Sequence, residues 1–242
     1  MNLIIDVGNT FAKLAVFSDG KIVKKKTVKP AYILKHVEAL IEAYPLIEKG
    51  IISSVGQVNN IDLQLISNKI YLLILDTTTK LPFKNKYETP KTLGKDRLAL
   101  VSASVLKFPE ENVLVIDAGS CITYDFITIK NEYLGGAISP GIRMRYKALN
   151  NLTANLPLLD TEMPKNIFGN STKESINSGV IYGVLNEIDG AINAYKLKYS
   201  DLTVILTGGD AKFLSKQLKS SIFANSNFLL EGLNYILQFN SN

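Results

Sequence analysis

An α/β protein made of two related halves is the fold class this sequence predicts, and three observations predict it. Apolar strands NLIIDV and NVLVID each run into an Asp-X-Gly turn, at Asp6 and at Asp117. Each turn is followed by the same order of strand, turn and strand, with Gly20 and Asn131 both 14 positions beyond the opening aspartate. Beyond each three-stranded unit, helical and strand patterns alternate. Equal spacing of this kind argues for one supersecondary unit used twice.

In the first half, FAKLAVF continues as a second strand, SDGK turns the chain, and KIVKKKTVK forms a third. Ile33, Leu34, Val37, Leu40, Ile41 and Tyr44 fall on one helical face before Pro45 ends the pattern. IISSV at 51–55 and IYLLIL at 70–75 then read as buried strands. In the second half the corresponding strand is CITYDFITI, the turn is KNEY, and LGGAIS follows. Ser171 and Glu174 have capping-box spacing at the head of a long amphipathic stretch toward Tyr195, LTVIL at 202–206 reads as a buried strand, and NFLLEGLNYILQF closes the chain as a helix. With no Gly/Ser linker to mark a boundary, the repeated pattern places one domain at 1–111 and a second at 112–242, with a ligand expected in the crevice between their two sheets.

Composition limits the function classes. The chain has 242 residues, enough for one large domain or two of roughly 100 to 150 residues. Its longest apolar run, Ile70 to Leu75, is far short of the roughly 18 residues of a membrane span. The N-terminus lacks a basic region ahead of its apolar stretch, and Asp6 interrupts that stretch early, so no signal peptide is read and a cytoplasmic location is expected. The single cysteine, Cys121, has no internal disulfide partner and reads as a small buried filler, not a nucleophile. The one histidine, His36, falls on the polar side of the first helix, with no second histidine to complete a metal site.

The net charge of +5 lies in the first half: residues 1–111 hold 16 Lys or Arg against 11 Asp or Glu, and residues 112–242 hold 11 of each. The densest part is Lys21, Lys24, Lys25, Lys26 and Lys29. These lie on an exposed hairpin with no aromatic residue between them to stack on bases, which favours a solvated strand face over a nucleic-acid patch. A site for small anions would need less charge.

An aspartate followed by glycine after a buried strand has a chemical use. Glycine lets the turned backbone approach a phosphate and present N–H groups, and the aspartate can hold Mg²⁺ directly or through water. In DVGNTFAK, Asn9 and Thr10 add polar groups, and Lys13 adds a charge suited to β- or γ-phosphate oxygens. TGGD at 207–210 leaves a buried strand with a double glycine, which suits close approach by a flat group such as adenine and equally suits a plain strand-to-helix turn. LGKD at 93–96 lacks the earlier glycine and the Ser/Thr of a P-loop, and no GxGxxG follows a strand.

Two DxG hairpins half a chain apart with a late TGG resemble the superfamily of acetate and sugar kinases, Hsp70 and actin. Tyr87, GKDR at 94–97, VIDAGSCITYD, GGAISPGI at 135–142, STKESINSG at 171–179 and TGGD, in that order, are similar to the type III pantothenate kinases. The resemblance runs from Met1 to the final helix. It implies a two-domain actin-like fold, a duplicated ribonuclease H-like unit with a central cleft, and ATP-dependent phosphorylation of pantothenate to 4′-phosphopantothenate, the entry to coenzyme A synthesis. The family's ATP-binding segment falls on Asp6, Val7, Gly8, Asn9, Thr10, Phe11, Ala12 and Lys13. Its substrate segment falls on Gly94, Lys95, Asp96 and Arg97, with Asp96 as proton acceptor; Tyr87 and Thr172 match further substrate contacts. Asp117 matches the ligand of a monovalent cation, potassium or ammonium. Ser120 stands where the family has an ATP-binding threonine, a departure that keeps the hydroxyl and loses the stiffening methyl. Asp125 either assists there or satisfies its own hairpin, and Arg143 and Arg145 meet substrate or solvent. The resemblance also implies Mg²⁺ and a homodimer whose substrate pocket borders the partner subunit. It leaves two alternatives: a kinase of another small alcohol on the same scaffold, and a nucleotide-binding regulatory protein without catalysis.

Overall fold

The computed structural model of the chain describes residues 1–54 and 59–241. In chain order they form β1 (Asn2–Val7), β2 (Ala12–Ser18), β3 (Lys21–Val28), α1 (Ile33–Ala43), β4 (Lys49–Ser54), α2 (Asn60–Ser67), β5 (Tyr71–Ile74), β6 (Lys84–Asn85), α3 (Lys95–Lys107), β7 (Asn112–Ala118), β8 (Cys121–Ile127), β9 (Glu132–Pro140), α4 (Ile142–Asn151), α5 (Thr172–Lys198), β10 (Leu202–Thr207), α6 (Ala211–Leu214), β11 (Phe223–Ala224) and α7 (Phe228–Phe239). These divide into two units: Met1–Pro109, Asn131–Tyr133 and the segment from Asn227 make the first, and Glu110–Lys130 with Leu134–Ser226 make the second.

The first unit is a five-stranded sheet in the order β3-β2-β1-β4-β5. β1 pairs antiparallel with β2 and parallel with β4. Asp19 and Gly20, both at positive φ, make the tight turn into β3 that the SDGK sequence requires. Side chains alternate across the sheet, so Leu3, Ile5 and Leu14 pack toward α1 and α2 while Ile4, Ala15 and Ile51 pack toward α3 and α7. On α7, Gly232 is required: a Cβ there would lie 1.8 Å from the Ala99 carbonyl of α3. The closing helix, which followed the second half in sequence, thus belongs to the first unit.

IISSV forms β4 through Ser54, and Val55 lies outside the described residues. IYLLIL is a strand but not a buried one. β5 is the sheet's edge, with Tyr71 and Ile74 exposed and only the flanking Ile70 and Leu75 buried.

The second unit repeats the meander. β7 pairs antiparallel with β8 and parallel with β10, which pairs with β11. Asn131 takes the positive φ that Gly20 has in the first unit. The 27-residue α5 begins at its expected N-cap, the Ser171 hydroxyl accepting the Glu174 N–H at 3.3 Å. Ile176, Val180, Val184, Ile188 and Ile192 line one face of α5 and bury Leu114, Ile116, Tyr124 and Phe126 of the sheet. Among the described residues no helix is long and apolar enough to cross a membrane.

Candidate active site

The first hairpin sets acid against base across two strands. Asp6 is opposite Lys13 in the β1–β2 register, so both side chains project from the same sheet face. The register ends at Val7 and Ala12, and the Gly8–Phe11 loop is closed by the Gly8 N–H donating to the Phe11 carbonyl at 3.0 Å. A Cβ on Gly8 would crowd that same oxygen at 3.1 Å. Asn9, Thr10 and Phe11 are exposed, whereas the Val7 and Ala12 side chains are buried in the core. Of the eight residues expected to grip ATP, those two can therefore serve only through their backbones. Burial raises the Asp6 carboxyl to about 6; Lys13 opposes the rise and Asp96 adds to it. Asp6, Lys13 and Asp96 thus share one electrostatic neighbourhood.

Asp96 reaches that neighbourhood from the start of α3. Gly94 is the helix N-cap, and a Cβ there would sit 2.3 Å from Asp96 Oδ1. The same oxygen accepts the Arg97 N–H at 2.8 Å, fixing the carboxylate at the positive end of the helix. Lys95, half-buried, is the first helical residue. Arg97 is only 4% exposed, and its guanidinium lies over two rings, 5.5 Å from the Tyr87 centroid and 6.0 Å from that of Tyr133. Tyr87 and Tyr133 are themselves stacked at 6.2 Å. The structure thus brings together Tyr87 and Arg97, both matched to substrate contacts by resemblance, and adds Tyr133, which sequence reasoning missed. Tyr133 arrives because β6 pairs with Glu132 and Tyr133 at the start of β9.

The second hairpin has a different build. Asp117 is opposite Thr123 rather than a lysine, and the turn is closed by the Gly119 N–H donating to the Cys121 carbonyl at 2.9 Å. Ser120 is exposed at its tip, and its carbonyl accepts the Gly141 N–H at 3.1 Å. Gly208, at φ 97°, packs so closely that a Cβ would lie 2.3 Å from the Ala118 carbonyl and 2.4 Å from Asp117 Oδ1. Its neighbour Gly209 faces open space. The two glycines of TGGD thus divide the alternatives: the first is a packing requirement of the hairpin, and the second is the one open to a ligand. Burial raises the Asp210 carboxyl, with Arg143 opposing.

Several of the other singled-out side chains have partners within the protein. Asp125 is fully buried and accepts the Thr123 hydroxyl at 3.1 Å, a bond within its own hairpin. Arg145 donates to the Pro140 carbonyl, the Ser139 hydroxyl and Glu187. Burial works to raise Glu187, but hydrogen bonds from Arg145, Ser139 and Tyr124 outweigh it and hold the carboxyl below its ordinary value. Arg143 pairs with Asp160 at 2.9 Å. Cys121 corrects an expectation: it is exposed, not a buried filler, because it is the first residue of β8 beside the exposed Ser120, with its Sγ 3.8 Å from Met144 Sδ. His36 is met by Lys26 Nζ at 3.0 Å.

A family model for type III pantothenate kinase matches residues 2–194. The type III pantothenate kinase of Christiangramia forsetii is 53% identical over 99% of each chain, and that of Flavobacterium johnsoniae is 46% identical over 99% of this chain and 98% of its own. The chain belongs to the type III pantothenate kinase family. Solved structures agree on the fold. A Campylobacter jejuni protein described as a Baf family transcriptional activator superposes with a TM-score of 0.67, at 24% identity over 98% of both chains. A glucokinase from an Antarctic psychrotroph gives 0.56 at 13% identity over 98% of both, and the ROK hexokinase of Thermus thermophilus gives 0.55 at 9% over 99% of both. These likenesses carry the two-domain actin-like fold expected from the sequence.

As a type III pantothenate kinase, the chain has its remaining candidate residue, Thr172, in the second unit. Thr172 is the first helical residue of α5 and lines a recess of about 450 Å³ with Leu149, Leu156, Ser175, Ile176 and Gly179. An apolar wall with two hydroxyls suits a branched aliphatic acceptor bearing polar groups. Among the described residues no group of three or more His, Cys, Asp or Glu side chains is arranged to hold a metal ion. A single carboxylate can hold a cation together with phosphate, backbone or water oxygens. Asp6 fits a divalent ion in that manner, since its charge is disfavoured by burial and a cation would relieve it.

Proposed function

We propose that this protein transfers the γ-phosphoryl group of ATP to the primary hydroxyl of pantothenate, giving 4′-phosphopantothenate. The observation that carries this reading is the full-length family match together with the Asp6–Lys13–Asp96 neighbourhood that the family's motif segments occupy. In a loose phosphoryl-transfer transition state the protein's task is placement and charge stabilisation. Lys13 and the Gly8–Phe11 backbone hold phosphate oxygens. Asp6 would be the protein contact for Mg²⁺ carried with ATP, which would supply charge to neutralise the phosphates. Asp96 accepts the hydroxyl proton as the oxygen attacks phosphorus; its bond to the Arg97 N–H supports a fixed orientation for that step. Arg97, packed against Tyr87 and Tyr133, offers the donor fork for the pantothenate carboxylate. Thr172 and its recess supply a further acceptor contact, from the partner subunit in the homodimer that the family resemblance suggests. Asp117 binds potassium or ammonium, and Ser120 contacts ATP. The enzyme works in the cytoplasm, without nucleic acid or membrane.

A coupled assay with ATP, pantothenate and a panel of other small primary alcohols tests this reading, run with Mg²⁺ and with Na⁺, K⁺ or NH₄⁺ in turn. Pantothenate is expected to be the best acceptor, with higher rates in K⁺ or NH₄⁺ than in Na⁺. A better alcohol would overturn the substrate, cation-independent rates would overturn the role of Asp117, and no turnover with any acceptor would leave the nucleotide-binding regulatory reading.

A further inference from the structure

The lysine-rich strand β3 does not present one charged surface. Its register with β2 divides the lysines between the two faces of the sheet. Leu14 pairs with Lys26, and Leu14 belongs to the core under α1, where Lys26 meets His36. Ala15 pairs with Lys25, and Ala15 belongs to the opposite core under α3 and α7. That second face is the one carrying Asp6 and Lys13, since Lys13 is two residues from Ala15 on β2 and directly across from Asp6. Diagonal neighbours of this kind are about 7–8 Å apart at their backbones, within reach of two long side chains meeting one ligand.

Lys25 is also held in place. Its ammonium donates to Asn227 Oδ1 at 2.6 Å. Asn227 is the N-cap residue of α7, a position where an asparagine side chain ordinarily bonds to its own helix, yet it makes no such cap here and is turned to the lysine. An exposed lysine normally keeps its rotamer freedom, so a fixed one facing a second ammonium calls for an explanation. Burial and then the charge of Lys13 hold the Lys25 ammonium below its ordinary value, so the two cations feel one another.

We propose that Lys25 is a second cationic contact for the triphosphate of ATP, acting beside Lys13. The inference rests on the proposed role of the Asp6–Lys13 hairpin in phosphate binding. A polyanion between the two ammonium groups turns their repulsion into a shared attraction, and the bond to Asn227 keeps Lys25 on the sheet face where that anion arrives.

The test is equilibrium binding of MgATP and of AMP to the full chain, for wild type and for Lys25→Met, Lys25→Arg, Lys24→Met and Lys13→Met, with circular dichroism as a check on folding. Lys25→Met is expected to weaken ATP binding about tenfold, the scale of one charge-assisted hydrogen bond partly screened by water. AMP affinity should stay within twofold, Lys25→Arg should retain most ATP affinity, and Lys24→Met, on the other face, should match wild type. If Lys25→Met binds ATP as Lys24→Met does while Lys13→Met loses affinity, Lys25 is not a contact and the hairpin reading stands. If Lys13→Met also binds ATP normally, the hairpin reading fails and takes the role of Lys25 with it. Equal losses for ATP and AMP would assign Lys25 to structure alone.

Discussion

The two DxG hairpins share a pattern and differ in what supports it. Both open with an aspartate near the end of a buried strand and close with a glycine N–H, and both reach a positive-φ turn residue 14 positions later. The first carries four loop residues, three of them exposed, and sets Asp6 against Lys13 with Asp96 nearby. The second has only Gly119 and Ser120 between strands, sets Asp117 against a threonine, and is braced from behind by Gly141 and Gly208. One hairpin invests in charge and the other in backbone packing. The same supersecondary unit can thus become an electrostatic grip or a rigid rim, depending on loop length and on the residue across from the aspartate.

The charged hairpin should give the largest effects. Asp96→Asn removes the proposed proton acceptor but keeps the side-chain oxygen that meets the Arg97 N–H, so the start of α3 should persist. We expect turnover to fall by roughly 10² to 10⁴ with ATP binding retained, the usual scale for a general base. Unchanged kcat would remove Asp96 from that role.

Asp6 makes a second prediction through pH. Its carboxyl rises from 3.8 to about 6 on folding, chiefly through burial. Below about pH 4 both folded and unfolded forms hold the proton, and the group contributes its full stability. Between about pH 4 and 6 the unfolded chain loses the proton first, so stability falls as pH rises through the folded value. The span of about two units corresponds to about 3 kcal/mol. Denaturant unfolding of the metal- and nucleotide-free protein from pH 4 to 7 should show that decline, and Asp6→Asn should remove most of it while abolishing activity. An identical pH slope in the variant would mean Asp6 is charged at little cost.

The braced hairpin should respond sterically. Gly208→Ala puts a Cβ within 2.3 Å of a carbonyl at a backbone angle that L-residues avoid. A loss of roughly 2 kcal/mol or more is expected in denaturant unfolding. Gly209→Ala meets nothing within 4 Å, and its stability should change by less than about 1 kcal/mol. Equal effects at the two glycines would contradict the division between packing and access.

How much of this was legible follows from where each signal resides. β1, β7 and β10 are written in short continuous apolar runs and the cap of α5 in Ser171 with Glu174, and they formed as read. The first hairpin was legible as strand, turn and strand, but the pairing of Asp6 with Lys13 needed the register, which the turn length alone does not announce. The apolar run of β5 could not announce that it lies at an edge, since period reports strand character and neighbours decide burial. The helical face of α7 was plain in sequence, but amphipathicity names no partner, and the helix packs on α3 of the first unit. Tyr133 was hidden for the same reason: only the pairing of β6 with β9 brings it to Arg97.

The smallest effect should come from Ser120, the one position where the second hairpin departs from the family's threonine. Its hydroxyl is at an exposed tip, and the contact that fixes the tip runs through the Ser120 carbonyl to Gly141, not through the side chain. A threonine methyl would therefore enter solvent and not the core, while limiting χ1 and holding the hydroxyl closer to one direction. Ser120→Thr should leave folding unchanged and keep the KM for ATP equal or lower it by about twofold, the scale of a few tenths of a kcal/mol in rotamer freedom. A clear rise in KM at constant stability would show that this hairpin, for all its rigid backing, fits its ligand around the smaller side chain.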